Sequence, residues 1–238
     1  MKPVVYIVSA PSGSGKSTLL NRVRERVPSL DFSISYTTRP PRGSEQNGKE
    51  YFFVPRSDFD LMIAHDDFLE YAEVFGHCYG TARRFLSEAE QKGHDLLLDI
   101  DVQGAEQIKR ALPDAVSVFI LPPDRRELEA RLRNRGQDAE EVIQKRLVTA
   151  SREIENYQKY DYILVNDRLN ESIDALQAIV LAERLQRSGV HLSSDDSGLL
   201  TKADGYRLSH VRERVQPILA SFVLPMANSG RGLGGESI

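Results

Sequence analysis

Residues Ser9–Thr18 read SAPSGSGKST. The run fits the phosphate-holding pattern G-x-x-x-x-G-K-[ST] except at its first position, where Ala10 stands in place of glycine. Gly13 and Gly15 allow a tight turn that aims backbone N–H groups inward, and the N-terminus of a following helix adds partial positive charge. Lys16 in such a loop reaches terminal phosphates, and the Ser17 hydroxyl suits Mg2+. Ala10 adds a single methyl group, which the turn accepts where that residue keeps φ negative. Ala10, Pro11, Ser12, Gly13, Ser14, Gly15, Lys16, Ser17 and Thr18 are therefore the candidate loop for a nucleoside triphosphate.

The flanks supply the context this motif needs. Val4–Ser9 is a continuous apolar, β-branched run, as in a strand buried on both faces. Ser17–Val27 reads as a helix with Leu19, Leu20, Val23 and Val27 on one stripe, ended by Pro28. Further along, Phe32–Tyr36, Tyr51–Val54 and Phe68–Phe75 read as strands, with Ser57 capping a short helix between the last two. Thr81–Lys92 reads as a helix stopped by Gly93. His94–Ile100, Ala115–Leu121 and Tyr162–Val165 are buried strands. Asp124 caps a helix to about Arg135, Gly136 breaks it, Asp138 caps another to about Lys159, and Asn170–Arg187 closes the series. Such alternation argues for an α/β fold of the P-loop NTPase type, a central parallel sheet flanked by helices. From Ser188 the composition changes. Ser188–Gly198 reads as a polar linker, Tyr206–Val223 as a helix kinked or stopped by Pro217, and the last residues as disordered. Tyr206–Val223 can pack on the core, pack on a neighbouring subunit or fray, and of these readings residues 188–238 are expected to be a dispensable extension.

Composition narrows the function. The 238 residues carry a net charge of −4, with 28% charged and 40% hydrophobic. This balance gives no support to duplex nucleic acid or an anionic membrane as partner, so an anionic substrate needs local Arg and Lys clusters. The single cysteine, Cys78, rules out an intrachain disulfide and fits a reducing, cytoplasmic setting. No apolar run approaches the roughly 18 residues of a membrane span. The five histidines show no metal spacing. Asp99, ending the run LLLD at the sheet's C-terminal edge, suits Mg2+, though a helix cap is an equal reading of that residue alone. Asp101, two residues on, points the same way along a strand. Arg39 and Arg42 sit three apart in the turn-rich SYTTRPPR, two planar forks suited to phosphate.

The motifs APSGSGKS, TTRPPR, NGKEYFFV, FLEYAEVFG, YGT, LDIDVQGA, ILPP, RLRNRGQD, EEVIQKRL and YDYILVND, in that order over about residues 4–187, resemble the guanylate kinase family, most of all its bacterial branch. The resemblance implies phosphoryl transfer from ATP to GMP. It also implies a small mixed GMP-binding insertion around Ser33–Gly93 and a helical lid over about residues 126–147. By the same resemblance Arg39, Arg42, Tyr51 and Tyr79 clamp the GMP phosphate. Ser35, Glu70 and Thr81 read guanine, with Asp101 nearby. Arg131, Arg135 and Arg146 are the lid's charge stabilisers, and Lys16 and Arg39 complete the catalytic set. Arg125, Arg126 and Arg133 fit a solvated face better.

Physical chemistry agrees with the guanine assignment. Guanine's N1–H and N2–H2 are adjacent donors that one carboxylate accepts together, while its O6 accepts from a hydroxyl. Taken alone, Glu70 reads better as part of a solvated strand face, and only the family pattern reverses that. Two rivals follow from the same motifs: a scaffold domain without catalysis, opposed by the presence of Lys16, Ser17, Asp99 and the lid arginines, and a kinase for a ribose phosphate, opposed by Ser35, Glu70 and Thr81. Cys78, where the family often has Tyr, the Gly43 placed one residue early, and Arg168 depart from the family pattern. The oligomeric state is open.

Overall fold

A computed structural model describes residues 2–74, 76–134, 139–189 and 194–223. The main sheet holds five strands: β1 (Val5–Ser9), β2 (Leu30–Ser33), β7 (Asp95–Asp99), β8 (Val116–Leu121) and β9 (Tyr162–Val165). They lie in the order β2-β7-β1-β8-β9, and every pairing is parallel. Alternate residues of these apolar runs face opposite sides, which explains why they read as unbroken hydrophobic stretches. Ile7, Leu96, Leu98, Phe119 and Ile163 enter one core; Tyr6, Val8, Leu97, Ile120 and Leu164 enter the other. Helices α1 (Lys16–Arg26) and α7 (Leu169–Ser188) cover the second face through Leu19, Leu20, Val23, Leu176 and Ile179. Helices α4 (Val102–Ala111), α5 (Arg125–Asn134) and α6 (Glu140–Ile154) cover the first through Ile108, Leu128, Leu132, Ile143 and Leu147. Val8 stands beside Asp99 in register, so the loop after β1 and the carboxylate ending β7 emerge at one edge.

A second sheet of four strands forms from β3 (Tyr36–Thr37), β4 (Phe52–Phe53), β5 (Phe68–Val74) and β6 (His77–Ala82) in the order β4-β3-β6-β5. It is mixed: β3–β4 is parallel, the other pairings antiparallel. Helix α2 (Arg56–Ala64) seats Phe59 on Phe68, with ring centroids 4.5 Å apart.

Several elements differ from the sequence expectation, each for a tertiary reason. The run Phe32–Tyr36 is not one strand: β2 pairs with β7, while Tyr36 crosses to the second sheet and pairs with Gly80. Thr81 lies on β6 opposite Glu70, and the helix expected from Thr81 starts only at Arg84 as α3 (Arg84–Lys92). Ser57 sits inside α2, whose cap position is Pro55. Helix α4 has no counterpart in the sequence reading, because Gly104 interrupts its apolar pattern. Asp101 therefore does not continue a strand. It is the α4 N-cap, its Oδ1 accepting Gly104 N–H at 2.8 Å. Gly136 and the expected cap Asp138 lie outside the described residues, and α6 ends at Ile154 in a 3-10 turn, Glu155–Lys159.

The extension is folded onto the body. Helix α8 (Ser194–Asp204) begins inside the stretch read as a linker and packs on α7. Helix α9 (Leu208–Phe222) runs through Pro217. Between them the chain adds to the sheet edge at β9: Ile163 N–H donates to Tyr206 O at 2.8 Å and Leu208 N–H to Asp161 O at 3.1 Å. Buried Glu183 accepts the Tyr162 hydroxyl at 2.5 Å and Arg207 at 3.0 Å. Val211, Val215 and Phe222 enter the core beside Leu128 and Leu132, and Arg125 N–H donates to Ser221 Oγ at 3.0 Å. This covers an otherwise open sheet edge, a site of aggregation when bare. It argues against a dispensable extension. Burial of three such side chains is worth about 5 kcal/mol. Truncation after Ser188 is expected to lower the urea midpoint by a corresponding amount; an unchanged midpoint would contradict the packing role.

Candidate active site

The loop between β1 and α1 folds as its sequence requires. Gly13 and Gly15 take φ values of 97 and 85, in the left-handed region where a side chain is strained. Space forbids one as well. A Cβ on Gly13 would come within 2.9 Å of Leu128 and Leu132, and one on Gly15 within 2.5 Å of the Asn166 amide nitrogen. Ala10 keeps φ negative, so the alanine costs the turn nothing. Asn166, just past β9, donates from Nδ2 to Ser14 O at 2.7 Å, while its own carbonyl accepts Arg131 at 3.0 Å. The residue thus ties the loop to α5. Sequence reasoning gave it no role, although it stands in the YDYILVND motif.

Lys16 Nζ lies 2.5 Å from Asp99 Oδ1 and 3.2 Å from Ile100 O. Ser17 opens onto the same cleft. Among the described residues no three acidic, His or Cys side chains converge on a metal position. Ser17 and Asp99 are hard oxygen donors at one edge. That is the sparse set suited to an ion held mainly by phosphates and water.

Glu70 is 6% exposed, and Thr81 donates its hydroxyl to Glu70 Oε1 at 2.6 Å. Burial pushes the Glu70 carboxyl up to about 7; the Asp101 charge adds to this and the Thr81 hydrogen bond opposes it. Gly104 makes room: a Cβ there would come within 2.5 Å of Glu70 Oε2. The solvated-face reading of Glu70 is thereby set aside.

Arg39 is 5% exposed, and its fork is spent on Glu45, at 2.9 and 3.0 Å. That pairing raises the arginine and lowers the glutamate. The early Gly43, with φ 52, makes a tight turn in which Glu45 N–H donates to Arg42 O and Arg42 N–H to Glu45 Oε2. Sequence reading missed Glu45, one of two acids in this loop, whose selection over Glu50 depends on that turn. Tyr51 and Tyr79 meet edge to face, and burial pushes Tyr51 up to about 12, with the Asp99 charge adding.

One cleft of about 620 Å3 gathers Ala10–Thr18, Ser35, Arg42, Tyr51, Glu70, Tyr79, Asp99, Asp101 and Arg146. Arg39 and Thr81 lie behind its wall, and Arg131 is held by Glu127 and Asn166. Arg135 lies outside the described residues. Arg133 is half-exposed and paired with Glu129 and Glu140, as a solvated face requires. A second hollow of about 390 Å3 between Lys2 and Arg187 contains none of the candidate residues.

The guanylate kinase family model matches residues 1–183. A guanylate kinase of Koribacter versatilis is 58% identical over 225 residues, 93% of this chain and 97% of its own length. One from Escherichia coli K12 is 50% identical over 186 residues, 77% of this chain and 90% of its own. The crystal structure of guanylate kinase from Anaplasma phagocytophilum superposes with a TM-score of 0.63 at 35% identity, covering 76% of this chain and 86% of that one.

The Glu70–Gly104 fit is open to a direct check. Gly104→Ala is expected to push the carboxylate aside and weaken GMP binding at least about tenfold, measured by calorimetry, while ADP binding stays within a factor of about two. Unchanged GMP affinity would show that Glu70 does not need that gap.

Proposed function

Because the chain belongs to the guanylate kinase family and moves a phosphoryl group from ATP to GMP, we propose that its cleft holds the two nucleotides end to end. The donor lies on the Ala10–Thr18 loop, the acceptor base on Glu70 and Thr81. The observation that carries this arrangement is a single cleft lined at once by the phosphate loop and by the buried carboxylate of Glu70.

The acceptor needs no general base. A nucleoside monophosphate has a second pKa near ~6, so its attacking oxygen is already ionised at neutral pH. The barrier is the approach of two polyanions, and fixed cations lower it. Lys16 would leave Asp99 for the donor's terminal phosphates. Arg42, Tyr51 and Tyr79 would take the GMP phosphate, with Arg39 presented from behind by Glu45. Arg146 faces the transferred group from α6, and Arg131, tied to Ser14 through Asn166, would steady the donor side together with Arg135. Ser17 and Asp99 would hold Mg2+, which when bound neutralises charge between the phosphates. Closure of the lid, about residues 126–147, over the insertion, about 33–93, would exclude water.

Glu70 needs its ionised form to accept N1–H and N2–H2 together, with Ser35 and Thr81 as hydroxyl partners and Asp101 behind them. Adenine lacks the N2 donor and turns an amino group toward a site built for O6, which leaves buried groups unpaired. Such a mismatch is worth discrimination on the order of 10⁴. No described helix is long and apolar enough to cross a membrane. The reading places the enzyme in the cytoplasm, supported by the free thiol of Cys78.

Lys16→Ala is expected to cut turnover at least about 100-fold, the size of one lost transition-state donor, in an assay of ADP release. A rate near the parent's would remove Lys16 from the mechanism. The pH dependence has a definite sign. Protonation of Glu70 below about 7 removes an acceptor, so KM for GMP should rise as pH falls from 8 to 6; a KM that falls over that range would contradict the assignment.

A further inference from the structure

Helix α6 presents Val142, Arg146, Thr149 and Glu153 to the nucleotide cleft, a spacing of three to four residues that is one helical face. The first three are unremarkable on a lid helix over a polyanion. Glu153 is not. It is an acid in the cavity that contains the phosphate loop, where a triphosphate adds negative charge. Its Oε2 is fully buried and has no hydrogen-bond partner among the described residues. The groups facing it come from four places: the Ser12 N–H of the phosphate loop, Lys16 at the start of α1, Asp101 at the start of α4, and the Tyr160 hydroxyl after the 3-10 turn. Ser12 N–H and Lys16 favour the carboxylate; Asp101 opposes it.

We propose that Glu153 is a positioning residue of the donor site, whose carboxylate holds the phosphate loop through Ser12 and yields by taking up a proton when a nucleoside di- or triphosphate binds. The geometry leaves few other outcomes. Backbone N–H groups of such a loop attract whichever anion lies nearest. In this structure the Glu153 carboxylate lines the same cleft as that loop, with its Oε2 buried and unpartnered among the described residues. A bound phosphate chain competes for the same N–H groups and repels the carboxylate at short range. Like charge disfavours ionisation of a buried acid. Burial already raises Glu153 to about 7, so little further push neutralises it near physiological pH. Once protonated, Oε2 gains a donor and can satisfy itself on a loop or phosphate oxygen. Glu153 would thus oppose donor binding at high pH and cease to oppose it at low pH. Its position two turns from Arg146 on one helix couples loop occupancy to the lid arginine.

Glu153 can act this way only if Ala10–Thr18 is the donor site. The test is calorimetric titration of the full chain with ADP and Mg2+, in two buffers of different ionisation enthalpy, at pH 6 and pH 8, for the parent and for Glu153→Gln. The nucleotide's own phosphate titration, and that of Glu70, is common to both proteins and cancels between them. At pH 7.5 the parent should take up at least about 0.3 proton more per ADP than Glu153→Gln. The variant should bind ADP about tenfold more tightly than the parent at pH 8 and within about twofold at pH 6. GMP affinity in the variant, expected to be unchanged, reports that the protein is folded. Equal proton uptake in the two proteins, or weaker ADP binding by the variant at both pH values, overturns the role of Glu153. Absence of ADP binding by the parent overturns the donor-site reading and this role together.

Discussion

The pair Lys16–Asp99 is the constraint on which the site depends. Two neighbouring parallel strands end in register, so the loop after one and the carboxylate ending the other meet at a single edge. Both side chains are mostly shielded, at 18% and 22% exposed. An ion pair in such a place stays strong against salt but gives up hydration, so it is a positioning contact more than a source of stability. The sheet fixes Asp99, Asp99 holds Lys16, and the loop glycines close against α5 and Asn166 around them.

The same pattern recurs in and around the cleft. Lys16 is matched by Asp99, Arg39 by Glu45 and Arg131 by Glu127. In each case a protein carboxylate occupies a cation that the proposed arrangement gives to phosphate. This keeps strongly hydrated charges partnered and oriented before substrate arrives. In that arrangement phosphate would replace carboxylate, an exchange that costs less than ordering an unpaired cation. Glu70 is the reverse case. It is a buried acid with no salt bridge among the described residues, close enough to Asp101 to feel its charge and held by the Thr81 hydroxyl, and in the proposed arrangement it would accept donors from a base.

Much of this was legible in the chain. Four of the five parallel strands announced themselves because strands buried on both faces are apolar throughout, whereas β2 reads Leu-Asp-Phe-Ser and did not; the phosphate loop was legible because glycines and lysine at fixed spacing have one mechanical use. The insertion was harder. Its strands are short and their pairing is non-local, so Phe32–Tyr36 looked continuous although it divides between two sheets, and Thr81 looked helical although it faces Glu70 across a strand pair. Helix α4 vanished behind Gly104, a glycine that the Glu70 carboxylate demands at the expense of helix propensity. Glu45, Asn166 and Glu153 were invisible for a shared reason: each acts by where the fold places it, not by any spacing to its partner. The extension misled through composition, since Ser- and Asp-rich residues read as a linker while α9 carries Val211, Val215 and Phe222 into the core.

End-to-end placement of two polyanions, with protein carboxylates giving up their cations to phosphate, is tested most directly by a crystal structure with adenosine and guanosine joined through a phosphate chain. The expected result has Lys16 Nζ moved from Asp99 to hydrogen-bond distance of the chain, about 3 Å, and the guanine N1 and N2 both on Glu70. A structure in which Lys16 remains on Asp99, or the purine lies away from Glu70, contradicts it.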